Sequence, residues 1–247
     1  MTGKGITLER SGSVAILTID DPAHRNALGH DALAQMENRC REVDEDESIG
    51  ALIVRGAGGH FCSGALRSIL EDTGIDPLRE DNFALLTSIY EAVARVGRVK
   101  VPVIAAVRGA AVGAGFNLAL AADLRIVAEN ARLTSGFLRI GIHPGGGHFQ
   151  LLRRAVGIEY AAGVALFGET LTGMRAAQIG LAWEALPDDD VEPRALELAT
   201  RVAGDPQLAR AIKRTLAQAD HANWTAAIDA ERSAQMWSLR RKHDADS

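Results

Sequence analysis

Two histidines stand five positions apart in GIHPGGGHFQ (141–150), separated by one proline and three glycines. Those residue types suggest three chemistries. Histidines ligate metals or move protons, and a glycine run can cradle a phosphate. A plain turn with a histidine capping the next helix has the same composition. His143 and His148 flank Pro144, so they do not share a helix face as an HExxH pair does, and no third ligand lies nearby. No metal site is expected. Proton transfer stays open for both, because imidazole titrates at about 6.5.

A second kind of chemistry needs no reactive side chain. HFCSGALRS follows the apolar run ALIVRG, and GAAVGAGFN follows VPVIAAV. Each loop of small residues leads from a buried strand into a helix, where the first N–H groups have no intrahelical partner and the helix dipole is positive. Two such N–H groups aimed at one point make an oxyanion hole. Two close-packed turns would read the same way.

The elements that must position these loops are visible as patterns. ITLE (6–9) and VAILTID (14–20) read as strands around a Ser-Gly-Ser turn. Residues 31–43 read as a helix with Leu33, Met36, Cys40 and Val43 on one face and Asp31 at the N-cap. Segments 51–56, 101–107 and 124–129 read as buried strands. Residues 82–96 read as an amphipathic helix with Phe83, Leu86, Tyr90, Val93 and Val96 on its apolar face. From Leu151 the pattern is helical, and the tail RRKHDADS is charged and expected to fray. Alternating strand and helix predicts an α/β fold with parallel strands. Its division is expected at 195/196, between a core (1–195) and a helical region (196–247).

Several classes are excluded. There is no GxSxG, no P-loop and no complete GxGxxG, since Gln150 and Leu118 occupy the third glycine positions. Net charge is −5 without a basic block, which disfavours nucleic acid. The start has no apolar signal region, and the longest small-apolar run, of 16 residues, is too short and glycine-rich to span a membrane. Two cysteines outside any ligand pattern suggest a reduced, cytoplasmic protein.

Four segments carry a family resemblance: DPAHRNAL (21–28), HFCSGALRSIL (60–70), VPVIAAVRGAAVGAGFNLALAADLRIVAENARLTSGFLRIGIHPGGG (101–147) and GETLTGMRAAQIGLAWEALP (168–187). In this order they resemble the crotonase superfamily, the enoyl-CoA hydratase/isomerase family. The resemblance implies a spiral of ββα units with a C-terminal helical trimerisation region, assembled as a homotrimer or hexamer. It implies an acyl- or enoyl-CoA thioester as ligand, no further cofactor, and a place in fatty-acid or related acyl-CoA metabolism. By the same resemblance the thioester oxygen sits on the amides of Ala65 and Ala114, beside Gly113. Arg25, Ala27 and Leu28 match the adenine-side contacts, Ser63 and Gly64 those along the CoA, and Lys213 a contact to a neighbouring subunit's CoA.

The family's catalytic carboxylates fall on Asn117, Phe137 and Gly145 here. An amide, a phenyl ring and a hydrogen atom cannot carry protons near neutral pH. Hydration by a glutamate pair is therefore not expected, and His143 and His148 are the candidate proton carriers. Phe116, Phe137, Leu138 and Phe149 are the expected apolar lining. Two other readings stay open: a non-catalytic acyl-CoA-binding protein, and an acyl-CoA hydrolase using histidine and water.

Overall fold

The turn at Gly12, whose φ of 60° suits glycine, folds β1 (Gly5–Ser11) back on β2 (Val14–Asp20) as an antiparallel pair. This computed structural model describes residues 5–219 and 222–246 of the 247. Downstream of the hairpin, α1 (His30–Glu45) leads to β3 (Ala51–Gly56), and α2 (Arg67–Ile75) and α3 (Glu80–Gly97) to β4 (Val103–Val107). Next come β5 (Ala110–Val112), α4 (Ala114–Ala121), β6 (Leu124–Ala128) and β7 (Arg132–Thr134). The rest is α5 (His148–Ala165), β8 (Thr170–Thr172), α6 (Gly173–Gln178), β9 (Glu184–Leu186), α7 (Val191–Ala203), α8 (Pro206–Ala219) and α9 (Trp224–Asp246).

The main sheet has the order β1-β2-β3-β4-β6-β9, parallel from β2 onward. Its inner strands β3 and β4 are buried on both faces, which is why ALIVRG and VIAAV read as unbroken apolar runs. The second sheet, β5-β7-β8, uses three-residue strands. These, and β9, are too short to show a period of two, and the sequence pattern misses β5, β8 and β9. Burying Leu17, Leu52 or Ile126 fully contributes roughly 1.5–3 kcal/mol each.

Three expectations are corrected. Gly29, not Asp31, is the N-cap of α1, and Asp31 lies in its first turn. Phe83 is exposed, while Val93 and Val96 are buried as expected, joined by Ile89 and Ala92. The tail is helical: α9 continues to Asp246, Arg241 pairs with Asp205 and lies over the Trp237 ring. The helix α7 spans positions 195 and 196 and packs on β2, β3, β4 and β6. Asp123 pins the junction between α4 and β6 to β4: its carboxylate accepts the Val103 N–H at 2.8 Å and its N–H donates to the Val103 carbonyl at 3.0 Å. Among the described residues no helix is long and apolar enough to cross a membrane.

Candidate active site

The two small-residue loops meet. Cys62 and Ala111 form a parallel bridge, with Cys62 N–H donating to the Ala110 carbonyl and Val112 N–H to the Cys62 carbonyl, both at 3.0 Å. This contact demands glycine. A Cβ on Gly115 would lie 2.2 Å from the Cys62 carbonyl oxygen, and one on Gly64 2.8 Å from that of Val112. The first loop is held from behind by the 21–28 segment. Arg25 and Asn26 both adopt left-handed backbone, and the buried Asn26 amide donates to the carbonyls of Ala57 and His60 while its oxygen accepts the Asp21 N–H. Leu28 N–H donates to the Gly64 carbonyl and Ser63 N–H to that of Arg25.

Ala65 and Ala114 thus end up on one cavity of about 220 Å³. Ala114 is the first residue of α4. Among the described residues, neither its N–H nor that of Ala65 donates to any protein acceptor. A pair of free, fixed donors at a helix start is suited to bind an oxygen that gains negative charge.

Much of the wall is apolar, from Leu70, Leu86, Ile89, Val93, Ile140 and Ile142, with Phe137. Among the described residues lining it, none is an aspartate or glutamate. The polar and charged side chains lining it are of other kinds: Ser63, Arg67, Tyr90, Asn117, Ser135, Arg139 and His143. Tyr90 takes up space that a side chain at 145 would need, because a Cβ on Gly145 would lie 2.2 Å from the phenolic oxygen. Burial raises the Tyr90 pKa.

The two histidines have parted ways. His143 is exposed at the rim, its Nδ1–H donating to the Pro144 carbonyl at 2.7 Å. His148, the first residue of α5, is 1% exposed and does not line the cavity. Its Nδ1 lies 2.6 Å from Asn117 Oδ1 and its Nε2 2.8 Å from Ser135 Oγ. Burial pushes its pKa down to about 4. Asn117 anchors the far end, donating from Nδ2 to the Gly145 carbonyl at 2.9 Å.

The enoyl-CoA hydratase/isomerase family model matches residues 9–244. The chain belongs to that family. A probable enoyl-CoA hydratase of Mycobacterium tuberculosis is 40% identical over 194 residues, 78% of this chain and 73% of the relative. The solved enoyl-CoA hydratase of Polaromonas sp. JS666 overlays with a TM-score of 0.90 at 26% identity, covering 98% of this chain and 94% of that one. A putative enoyl-CoA hydratase of Thermobifida fusca, solved with acetoacetyl-CoA, overlays at 0.87 with 28% identity, covering 96% of each.

Measured against the sites expected for a member of this family, Ser63, Gly64, Ala65, Gly113, Ala114, Asn117, Phe137 and His143 line the cavity. Arg25, Ala27, Leu28, His148 and Lys213 do not. Arg25 is exposed outside it, and Ala27 and Leu28 are buried, shaping the first loop from behind. Lys213 is partly buried against Asp123, with Nζ 2.8 Å from its carboxylate, and opens onto a separate cavity of about 720 Å³. Of the expected apolar lining only Phe137 serves; Phe116 is core, and Leu138 and Phe149 reach the surface. Sequence reasoning missed Ser135, Tyr90 and the α3 wall. Tyr90 carried a signal, since a polar-tipped ring on an apolar helix face suits a cavity wall; Ser135 carried none.

The remaining reactive groups are engaged in structure. Cys62 is buried and its thiol is pushed up to about 12, so it is no nucleophile at neutral pH. Glu184 accepts both a 2.7 Å and a 2.9 Å hydrogen bond from Arg194, which holds its carboxyl below the usual range.

Proposed function

We propose that this protein binds an acyl- or enoyl-CoA thioester, seats the thioester oxygen between the amides of Ala65 and Ala114, and turns the ester over through an enolate-like oxyanion. The carrying observation is the pair of unpartnered N–H groups on one cavity. Donors fixed in place stabilise the developing charge more than the neutral carbonyl, and that difference is catalysis. The acetoacetyl-CoA bound to the similar Thermobifida fusca protein supports this class of ligand. A wall without Asp or Glu favours proton transfer on the acyl chain, of the isomerase or lyase kind, over carboxylate-driven hydration.

Exposed apolar residues on α8 and α9, among them Ile212, Leu216 and Trp224, support assembly as a trimer or hexamer. Two buried, unpaired cysteines support a cytoplasmic setting.

The test pairs binding with turnover. Calorimetry with butanoyl-CoA and crotonyl-CoA is expected to show binding, and assays of crotonyl-CoA to show slow or no hydration beside measurable double-bond migration on a 3-enoyl-CoA. Failure to bind any CoA ester would defeat the proposal. Binding without turnover across a panel of acyl chains would favour the second reading, a non-catalytic acyl-CoA-binding protein, which the same carboxylate-free wall supports.

A further inference from the structure

Ser135, His148 and Asn117 form a hydrogen-bonded row of buried polar groups behind the acyl cavity. Its proton positions follow from its end. The Gly145 carbonyl can only accept, so Asn117 presents Nδ2 to it and Oδ1 to the imidazole. His148 Nδ1 must then carry the hydrogen, which leaves the Nε2 lone pair facing the Ser135 hydroxyl. Rings of Phe116, Phe137 and Phe149 surround the imidazole with centroids 6.1, 5.2 and 6.0 Å away. The only acceptor function left to His148 is therefore directed through the serine.

The serine is well placed for use. β7 pairs with β5 up to Val112↔Thr134, and Gly113 N–H donates to the Thr134 carbonyl at 3.2 Å. Ser135 is the next residue, abreast of Gly113 and the Ala114 donor, and it lines the cavity.

We propose that Ser135 is the catalytic proton-transfer residue of this cavity and that His148 and Asn117 are its positioning residues. This rests on the thioester being seated on Ala65 and Ala114. The C–H bond next to the carbonyl breaks, and its proton passes to Ser135 Oγ as the serine proton passes to His148 Nε2. The electron pair moves onto the thioester oxygen, held by the two amides. Reprotonation of the acyl chain by the same route restores the serine and the neutral imidazole. Asn117 supplies no negative charge, so the imidazolium gains a counter-charge only while the enolate exists. That confines its stabilisation to the charged state on the reaction path.

Exchange of acyl α-hydrogens in D2O, followed by NMR on butanoyl-CoA, reads this step without knowledge of the natural substrate. The wild type is expected to exchange. Ser135→Ala is expected to lose roughly 10²–10³-fold in exchange while binding butanoyl-CoA within about threefold by calorimetry, and Ser135→Thr to retain exchange. Asn117→Asp places a carboxylate on Nδ1, and the acid limb of the exchange profile is expected to move up by at least one pH unit. None of the residues in ring or hydrogen-bond contact with His148 is charged, and the other titratable or charged side chains of the wall are Arg67, Tyr90, Arg139 and His143. A purely structural row leaves exchange in Ser135→Ala unchanged and the limb unmoved, and either result overturns the proposal. So does wild-type binding without exchange, or an acyl-serine found by mass spectrometry, which would make Ser135 a nucleophile. Should Ser135→Ala not fold, the Asn117→Asp limb decides. Absence of binding would instead strike the underlying assignment of the ligand.

Discussion

On one side of the cavity stand two backbone N–H groups with no protein acceptor, those of Ala65 and Ala114. The polar side chains Tyr90 from α3, Asn117 from α4 and Ser135 after β7 line the same cavity, with His148 from α5 buried behind Asn117 and Ser135. The first side is fixed by the close approach of two loops, which demands glycine at positions 64 and 115. The second tolerates exchange of one functional group for another as long as its volume and hydrogen bonds are matched. A grip for a carbonyl can therefore persist while the groups that move protons are replaced.

Removing a donor from the backbone side is the harshest test. Ala114→Pro deletes one N–H at the first position of α4, where proline is well accommodated. Turnover is expected to fall about 10²–10³-fold with the circular dichroism spectrum retained; retained turnover would break the distinction between the walls. The side-chain wall should reveal itself in acid. With His148 held to about 4 against 6.5 for an ordinary histidine, the unfolded chain binds a proton between those values and the folded chain does not. Stability is thus full above about pH 6.5 and falls as pH drops toward 4, by about 3 kcal/mol in all. His148→Gln is expected to flatten that slope in urea titrations at pH 5 and 7.

Putting a carboxylate back at 145 should meet Tyr90. Gly145→Asp is expected to cost about 1–3 kcal/mol, less in a Tyr90→Ala background. A double-mutant cycle that shows no coupling would mean the phenol does not fill that space. The smallest effect is expected at Lys213. Its replacement by Met should lower stability by about 1 kcal/mol and leave the KM for a CoA ester within about twofold. A large rise in KM would return Lys213 to the ligand.

The sequence made the backbone wall legible because its requirement is local. Small residues between an apolar strand and a helix mark both loops, and β2 and β3 were bounded from their hydrophobic patterns alone. The side-chain wall was only half legible. His148 and Asn117 stood out by type, yet they lie 31 positions apart, and only the tertiary fold puts 2.6 Å between them. Ser135 is one serine at the end of a three-residue strand, with nothing nearby to distinguish it. The α3 face serves core and cavity together: Leu86, Ile89, Tyr90 and Val93 line the cavity, while Ile89, Ala92, Val93 and Val96 are also buried in the core.

The two donor loops are sewn together by β3, β4 and β5, whereas α2 and α3 form an excursion between them that roofs the acyl chamber. Such an arrangement is modular. The excursion can be lengthened, shortened or recut at Leu70, Leu86 and Ile89 to admit a different acyl group while the carbonyl grip stays where the sheet puts it. For anyone redesigning this protein, chain-length preference and reaction type are two separate dials.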